Sequence, residues 1–228
     1  MTRSMNARIA GVTFLVYIAA GLTSLRLWTG ATGGDGVAAK VASIAEHATD
    51  VRLTILLTLV GNFSALVLAV TLYSITKEQD ADLARMGLTC RIAEGICGMD
   101  FSRTLGLLWL ATATDAAALD AGATSALGAY FLKMEGSFGA SATLFAVGST
   151  CFSWLLLRGR MVPATLAWLG VIASILLVVC LPLQLAGLLR GPITQYIWLP
   201  MLLFEVPLAL WLIIKGVAAP ATSTRAST

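Results

Sequence analysis

The segment Met86–Leu110, MGLTCRIAEGICGMDFSRTLGLLWL, is long and apolar enough to cross a bilayer, yet it contains Arg91, Glu94, Asp100 and Arg103. A charge at the centre of a membrane helix costs roughly 2.5 to 3.5 kcal/mol, so four unpaired charges would outweigh the gain from the apolar side chains. Residues three apart are neighbours on one face of a helix. We therefore expect Arg91 to pair with Glu94, and Asp100 with Arg103, as two buried ion pairs.

Two buried pairs on one helix also indicate where that helix lies. At about 100° per residue, the pairs point to nearly opposite sides of the helix. A helix with charges on both sides should be surrounded by protein rather than by lipid. We predict that segment 86–110 forms one continuous helix at the centre of a bundle.

Composition assigns the chain to the integral membrane proteins. Its 228 residues are 58% hydrophobic and 12% charged, and the mean hydropathy is +0.86, whereas soluble domains have about 25% charged residues. The net charge of +3 is small and scattered, and no basic motif with interleaved aromatic residues indicates a nucleic-acid partner. The expected class is all-α, and the expected partner is the lipid bilayer.

Apolar runs predict about six transmembrane helices and a short amphipathic helix on the outer surface. The amphipathic helix is predicted at Val37–Asp50, where apolar residues recur at helical spacing. The segment 111–136 is too polar to span and should form one or two surface helices. The spans are predicted at 9–27, 53–75, 86–110, 138–157, 163–187 and 194–214, in a single bundle over 1–217 with a disordered polar tail at 218–228.

The sequence offers no residues for metal or cofactor chemistry. Its four cysteines fall in apolar stretches without CxxC spacing, and the single histidine, His47, lies outside the spans. Such cysteines are most simply interpreted as small side chains that pack in the protein interior. We expect no metal site, no cofactor and no catalytic set.

Basic residues predict the orientation, because loops in the cytoplasm are enriched in arginine and lysine. Six spans place both termini on the same side of the membrane. The basic residues on that side are Arg3, Arg8, Lys77, Arg85, Arg158, Arg160, Lys215 and Arg225, against Arg26, Lys40, Arg52, Lys133 and Arg190 on the other. Both termini are therefore expected in the cytoplasm.

Glu205, in the sixth predicted span, is the remaining charge within an apolar run. At about 1.5 Å per residue, Glu205 lies roughly 15 Å above Lys215, and Arg91 roughly 9 Å above Arg85. These depths allow Glu205 to reach Arg91. We predict a buried cluster of Arg91, Glu94 and Glu205, with one formal positive and two formal negative charges.

A proline follows Glu205 closely. Pro207 has no amide N–H, so the carbonyl of Leu203 loses its helical hydrogen bond. We predict a break in the helix beside the cluster at this point.

Four stretches of the chain are similar to one bacterial membrane family, catalogued as domain of unknown function 4386. The stretches are ARIAG at Ala7–Gly11, RIAEG at Arg91–Gly95, LLLRGRMVPATLAWLGVI at Leu155–Ile172 and PMLLFEVPLALWLIIKGV at Pro200–Val217. The resemblance implies a compact bundle of about six helices. It also implies that the recurrent arginine and glutamates of the family correspond to Arg91, Glu94 and Glu205. The resemblance implies a bacterial inner membrane as the location of the chain, and it implies no activity.

Three classes of function fit these residues. The first is transport of a small solute or ion, with the buried carboxylates as proton or cation sites beside Pro207. The second is a membrane sensor, partner or assembly protein in which the charges only fix helix packing. The third is an intramembrane enzyme with Glu94 or Glu205 as acid or base, which has the least support because no nucleophile accompanies them. The ligand is accordingly an unidentified small molecule or membrane partner.

Overall fold

The computed structural model describes residues 2–113, 119–133 and 138–218, and these residues form helices and short connections without a strand. The predicted tail at 218–228 lies outside them, apart from Ala218. In chain order the helices are α1 (Arg3–Ala31), α2 (Gly36–Glu46), α3 (Ala48–Thr76), α4 (Ala81–Cys97), α5 (Ser102–Thr112), α6 (Ala121–Lys133), α7 (Phe138–Arg158), α8 (Ala164–Leu185), α9 (Ile193–Tyr196) and α10 (Leu199–Ile214).

Four helices of the described chain are long and apolar enough to cross a membrane, namely α1, α3, α7 and α8. This finding confirms an all-α membrane protein. Helix α10 is apolar but has 16 residues, and α4 has 17 residues and several charges. At about 1.5 Å per residue these two are about 24 to 26 Å long. Length and composition alone therefore account for four of the six predicted spans.

Side-chain caps define where α1 and α4 begin. Thr2 accepts a hydrogen bond from the Met5 N–H at 3.3 Å, and Asp80 accepts one from the Leu83 N–H at 3.0 Å. Both residues are of the types that satisfy the free amides of a first helical turn. The polar caps start the helices, and the apolar sequence that follows keeps them in the bundle.

Six of the described helices pack in a closed ring. Around the ring, α1 contacts α3, then α4, α7, α8 and α10 follow in turn, and α10 contacts α1. The interior is filled mainly by alanine, leucine and phenylalanine side chains, including Ala10, Leu68, Phe145 and Leu208. Small residues such as alanine let neighbouring helices approach closely.

Polar contacts join several segments at one end of the ring, which we call the termini end. Arg3 forms an ion pair of 3.3 Å with Glu78, between α3 and α4. The Ala218 N–H donates to the carbonyl of Met161, between α7 and α8, at 3.1 Å. Both ends of the described chain thus lie beside the α3–α4 and α7–α8 turns.

Helices α2, α5 and α6 pack together at the opposite end of the ring and form what we call the cap. Their apolar cluster contains Ile44 of α2 and Leu107 and Leu108 of α5, together with Ala31 and Val51 from the adjacent ends of α1 and α3. The predicted amphipathic helix is confirmed in α2. It is shorter than predicted, because 48–50 belong to α3.

The predicted continuous helix over 86–110 is wrong. Helix α4 ends at Cys97, and α5 begins at Ser102 after a short turn. Asp100 Oδ1 accepts a hydrogen bond from the Ser102 N–H at 3.0 Å, which forms an Asx-turn just before α5. A glycine at 98 and this aspartate end one helix and start another within an apolar run. The second half of the predicted span consequently lies in the cap.

Helix α4 is also not at the centre of the bundle. It packs between α3 and α7 as one member of the ring. Its outer face exposes Met86 by 52% and Ile96 by 62%. The charged pair that remains on α4 is on one face of the helix, so one buried face is enough to accommodate it.

The crossing of α1 and α10 depends on Gly11. A Cβ atom at position 11 would lie 2.6 Å from the Ala209 carbonyl oxygen and 2.7 Å from Ile213 Cγ1. We expect Gly11→Ala to lower the free energy of unfolding by about 1 to 3 kcal/mol, as overpacking does. Chemical unfolding in detergent micelles measures this change.

Gly21 on the same helix is the matched control, because a Cβ atom there meets nothing within 4 Å. Gly21→Ala should leave stability unchanged or raise it by up to about 1 kcal/mol, the difference in helix propensity. Equal stability of the two variants would contradict the close crossing at Gly11.

Candidate functional site

Three charged side chains are buried inside the ring. Arg91 is 1% exposed and Glu94 is 4% exposed, both on α4, and Glu205 of α10 is 6% exposed. The structure thus brings together the three residues of the predicted cluster. We keep the term cluster for Arg91, Glu94 and Glu205.

Glu94 has a partner for each carboxylate oxygen. Arg91 Nη1 lies 2.8 Å from Glu94 Oε2, and the Tyr17 hydroxyl of α1 donates to Glu94 Oε1 at 3.1 Å. The hydroxyl of Ser141, on α7, donates to the Glu94 carbonyl at 3.0 Å. Contacts of this one residue therefore join α1, α4 and α7.

The guanidinium group of Arg91 is close to Glu94 but poorly aligned with it. Within the described chain, Arg91 Nε, Nη1 and Nη2 are buried and none makes a hydrogen bond of acceptable geometry. The contact with Glu94 is therefore an electrostatic one. The directional donors of the guanidinium remain unmatched by the described side chains.

Aromatic rings surround the guanidinium. Its central carbon lies 4.7 Å from the ring centre of Phe145 and 5.6 Å from that of Tyr17. The two rings are stacked with centres 6.4 Å apart, and Trp198 lies 5.9 Å beyond Phe145. Cations are attracted to aromatic faces at these distances, so α1 and α7 stabilise the charge that α4 carries.

Gly148 of α7 makes room for the arginine. A Cβ atom at this position would lie 2.9 Å from Arg91 Cγ and 3.1 Å from Arg91 Cδ. Any larger residue would push the stem of Arg91 out of its place. The close packing of α4 on α7 and the burial of the charge thus depend on the same glycine.

Glu205 interacts with the other charges at longer range. It has electrostatic interactions with Arg91, Glu94 and Tyr17. Its carboxylate makes no hydrogen bond, and no ion pair within 4 Å, to any residue of the described chain. Formally, the cluster holds one positive and two negative charges, and the unpaired carboxylate is Glu205.

The predicted helix break at Pro207 is wrong. Helix α10 continues through Pro207 from Leu199 to Ile214. The fixed φ of proline is compatible with a helix, and packing on α1 and α8 holds the segment in place. The loss is limited to the one hydrogen bond that Pro207 is unable to donate.

The second predicted pair has a different environment. Asp100 is exposed, so the prediction that it is buried is wrong; its carboxylate accepts from Ser102. Arg103 is half-buried in the cap, where its Nε donates to the Phe131 carbonyl at 3.0 Å and its guanidinium lies 5.2 Å from the Trp28 ring. Arg103 therefore joins α5 to the end of α6 and to α1.

Residues that sequence reasoning missed complete the site. Tyr17 stood in an apolar run where its hydroxyl was a visible signal for a buried polar partner. Phe145 and Gly148 gave no such signal, because apolar and small residues are common in every span. Among the described residues, no group of three or more histidine, cysteine, aspartate or glutamate side chains is placed to hold a metal ion.

A family model described as Domain of unknown function (DUF4386) matches residues 9–216. The chain belongs to this family. The match extends from α1 to the residues after α10, so it includes the whole ring and the cluster. No curated protein and no solved structure matches the chain. Family and fold together establish a membrane protein of unknown activity.

The hydroxyl of Tyr17 should stabilise the fold measurably. Tyr17→Phe removes the donor to Glu94 Oε1, and an unsatisfied buried acceptor costs about 1 to 3 kcal/mol. We expect the free energy of unfolding in micelles to fall by that amount. Tyr196→Phe, at an exposed position, is the control and should have no effect. A Tyr17→Phe variant as stable as the control would show that the hydroxyl contributes nothing.

Proposed function

We propose that the chain crosses the cell membrane six times, with all six ring helices as spans. The closed ring supports this number, because α4 and α10 complete the wall that the four long helices begin. Their lengths of about 24 to 26 Å approach the roughly 30 Å of a hydrocarbon core.

Both termini are proposed to face the cytoplasm. The termini end carries Arg3, Arg8, Lys77, Arg85, Arg158, Arg160 and Lys215, and short basic loops favour the cytoplasmic side. In this orientation the cap lies on the outer side.

A reporter fused to the C-terminus tests the orientation. Green fluorescent protein fused there should fluoresce, and alkaline phosphatase fused there should be inactive, because the former folds in the cytoplasm and the latter requires the outer side. Fusions at the exposed position 47, in the cap, should give the reverse pattern. An active C-terminal phosphatase would overturn the proposed orientation.

The activity best supported by the site is transport of a small solute or ion, coupled to a proton carried by Glu205. The observation that carries this proposal is the burial of Glu205 without a hydrogen bond or ion pair in the described chain. Intramembrane carboxylates commonly mark proton and ion paths. The second carboxylate, Glu94, is already held by Arg91 and Tyr17, which leaves Glu205 as the group that exchanges a proton.

The alternative is a packing role in a sensor or assembly protein. Glu94 supports this alternative, because its contacts join three helices and buried ion pairs can specify packing. A cluster kept only for packing would be expected to have all its polar groups satisfied. The donors of Arg91 and the Oε2 atom of Glu94 make no hydrogen bond within the described chain and do not meet this expectation, so transport is the better-supported function.

Proton entry into proteoliposomes tests the proposal. Vesicles that contain a pH-sensitive dye are exposed in turn to amino acids, monocarboxylates, sugars and inorganic ions, with protein-free vesicles as the reference. At least one solute should drive proton entry with the unchanged protein. Glu205→Gln should reduce that rate at least about tenfold, since an amide takes up no proton.

Glu46→Gln, at an exposed position in the cap, is the matched control and should keep the full rate. Equal rates for Glu205→Gln and the unchanged protein would remove Glu205 from the mechanism. No proton entry with any solute would remove proton coupling.

A further inference from the structure

We infer that the cluster binds the carboxylate group of a monocarboxylic acid on Arg91 while Glu205 holds a proton. This inference rests on the proposed transport function, because it names the class of solute. The observation that supports this inference is that the N–H donors of the buried Arg91 have no hydrogen-bond acceptor in the described chain.

Arg91 has more hydrogen-bonding capacity than the described chain uses. A guanidinium group has five N–H donors in a planar fork and no acceptor. Arg91 is 1% exposed, and Nε, Nη1 and Nη2 all lack an acceptable hydrogen-bond acceptor among the described residues. A buried charge is normally both paired and hydrogen-bonded. The site therefore fits a ligand that supplies acceptor oxygens.

Glu94 does not fill this role. It lies three residues from Arg91 on the same helix. This position brings Glu94 Oε2 to 2.8 Å from Arg91 Nη1, but the angles are unsuitable for a hydrogen bond. Its other oxygen already accepts from Tyr17. A carboxylate that enters from outside the helix has no such restriction, and two parallel N–H···O bonds match its geometry to the guanidinium fork.

The charges of the cluster select a monoanion that arrives with a proton. With both carboxylates ionised, one guanidinium and two carboxylates sum to −1. A bound monoanion alone would raise this to −2 in a low-dielectric interior, which is unfavourable. A proton on Glu205 restores −1, so the anion and the proton stabilise each other and bind together.

The groups that face Glu205 favour this coupling. Arg91 and Glu94 act on it from α4, and it acts in turn on Tyr17 of α1. Helix α8, which packs against α10, has no charged residue, and its titratable side chain is the thiol of Cys180. Among the described residues, Arg91 is the cation that acts on the carboxylate of Glu205.

The walls of the site indicate an organic acid rather than an inorganic anion. Phe145 and Tyr17 stack beside the guanidinium, and Trp198 extends the aromatic wall. Aromatic rings pack well against the apolar part of an organic acid, and they do not replace the water around an inorganic anion. The carboxylate has two possible sources, a water-soluble acid or a fatty acid from the bilayer, which the experiment separates.

Thermal unfolding of the purified full chain in detergent tests the inference with benzoate, its neutral analogue benzamide, and oleate. Benzoate should raise the unfolding midpoint of the unchanged protein, and more so at mildly acidic than at mildly alkaline pH. Benzamide should have no effect. Glu205→Gln, which mimics the protonated carboxyl group, should bind benzoate equally at both pH values.

Arg91→Lys keeps the charge but loses the fork, and should weaken benzoate binding at least about tenfold. Arg103→Lys, in the cap, is the control and should bind as the unchanged protein does. Stabilisation by oleate alone, lost in Arg91→Lys, would support the carboxylate site and assign its source to the bilayer. No stabilisation by either acid, or stabilisation that survives Arg91→Lys, would overturn the inference.

The two proposals fail separately. Benzoate binding without proton entry into vesicles would support the carboxylate site and contradict transport. Proton entry that depends on Glu205 but is driven by a sugar or an inorganic cation, with no benzoate binding, would support transport and contradict the carboxylate site.

Discussion

The burial of the Arg91 charge is the constraint on which the bundle depends. A guanidinium group at 1% exposure has lost its water, and the loss has to be offset by neighbours. Glu94 supplies the opposite charge, Phe145 and Tyr17 supply aromatic faces, and Gly148 supplies the space. These neighbours come from α1, α4 and α7, so the charge is buried only when three helices have assembled. Burial of the charge therefore accompanies the assembly of these three helices in the ring.

Part of this arrangement follows from the sequence because the underlying rules are local. The apolar composition identifies a membrane protein, and a three-residue spacing places Arg91 beside Glu94 on any helix. Counting residues from the basic ends of the spans gives Glu205 a depth similar to that of Arg91. The periodic apolar residues of α2 likewise predict an amphipathic helix, which the structure contains.

Other features depend on contacts between segments that are distant in the chain. An apolar run does not show where a helix stops, so the sequence does not predict the turn at Gly98 and Asp100, and the predicted span is too long. Asp100 is exposed and precedes the start of α5, so this residue and Arg103 do not form a pair buried within one helix. Arg103 donates to carbonyls at the end of α6, and no local rule connects residues 28 positions apart.

The small size and polarity of α4 bear on how the protein is made. Its 17 residues include Arg91 and Glu94 in the second half, so the translocon would gain little free energy by releasing this segment into lipid by itself. Helix α3, which precedes α4 and packs against it, has a mean hydropathy of 2.2 over its most apolar 18 residues. We expect α3 and α4 to leave the translocon together as a hairpin, after α1 has entered the membrane, and to pack against α1 there. Membrane insertion of this protein would then be ordered by the least hydrophobic helix of the ring.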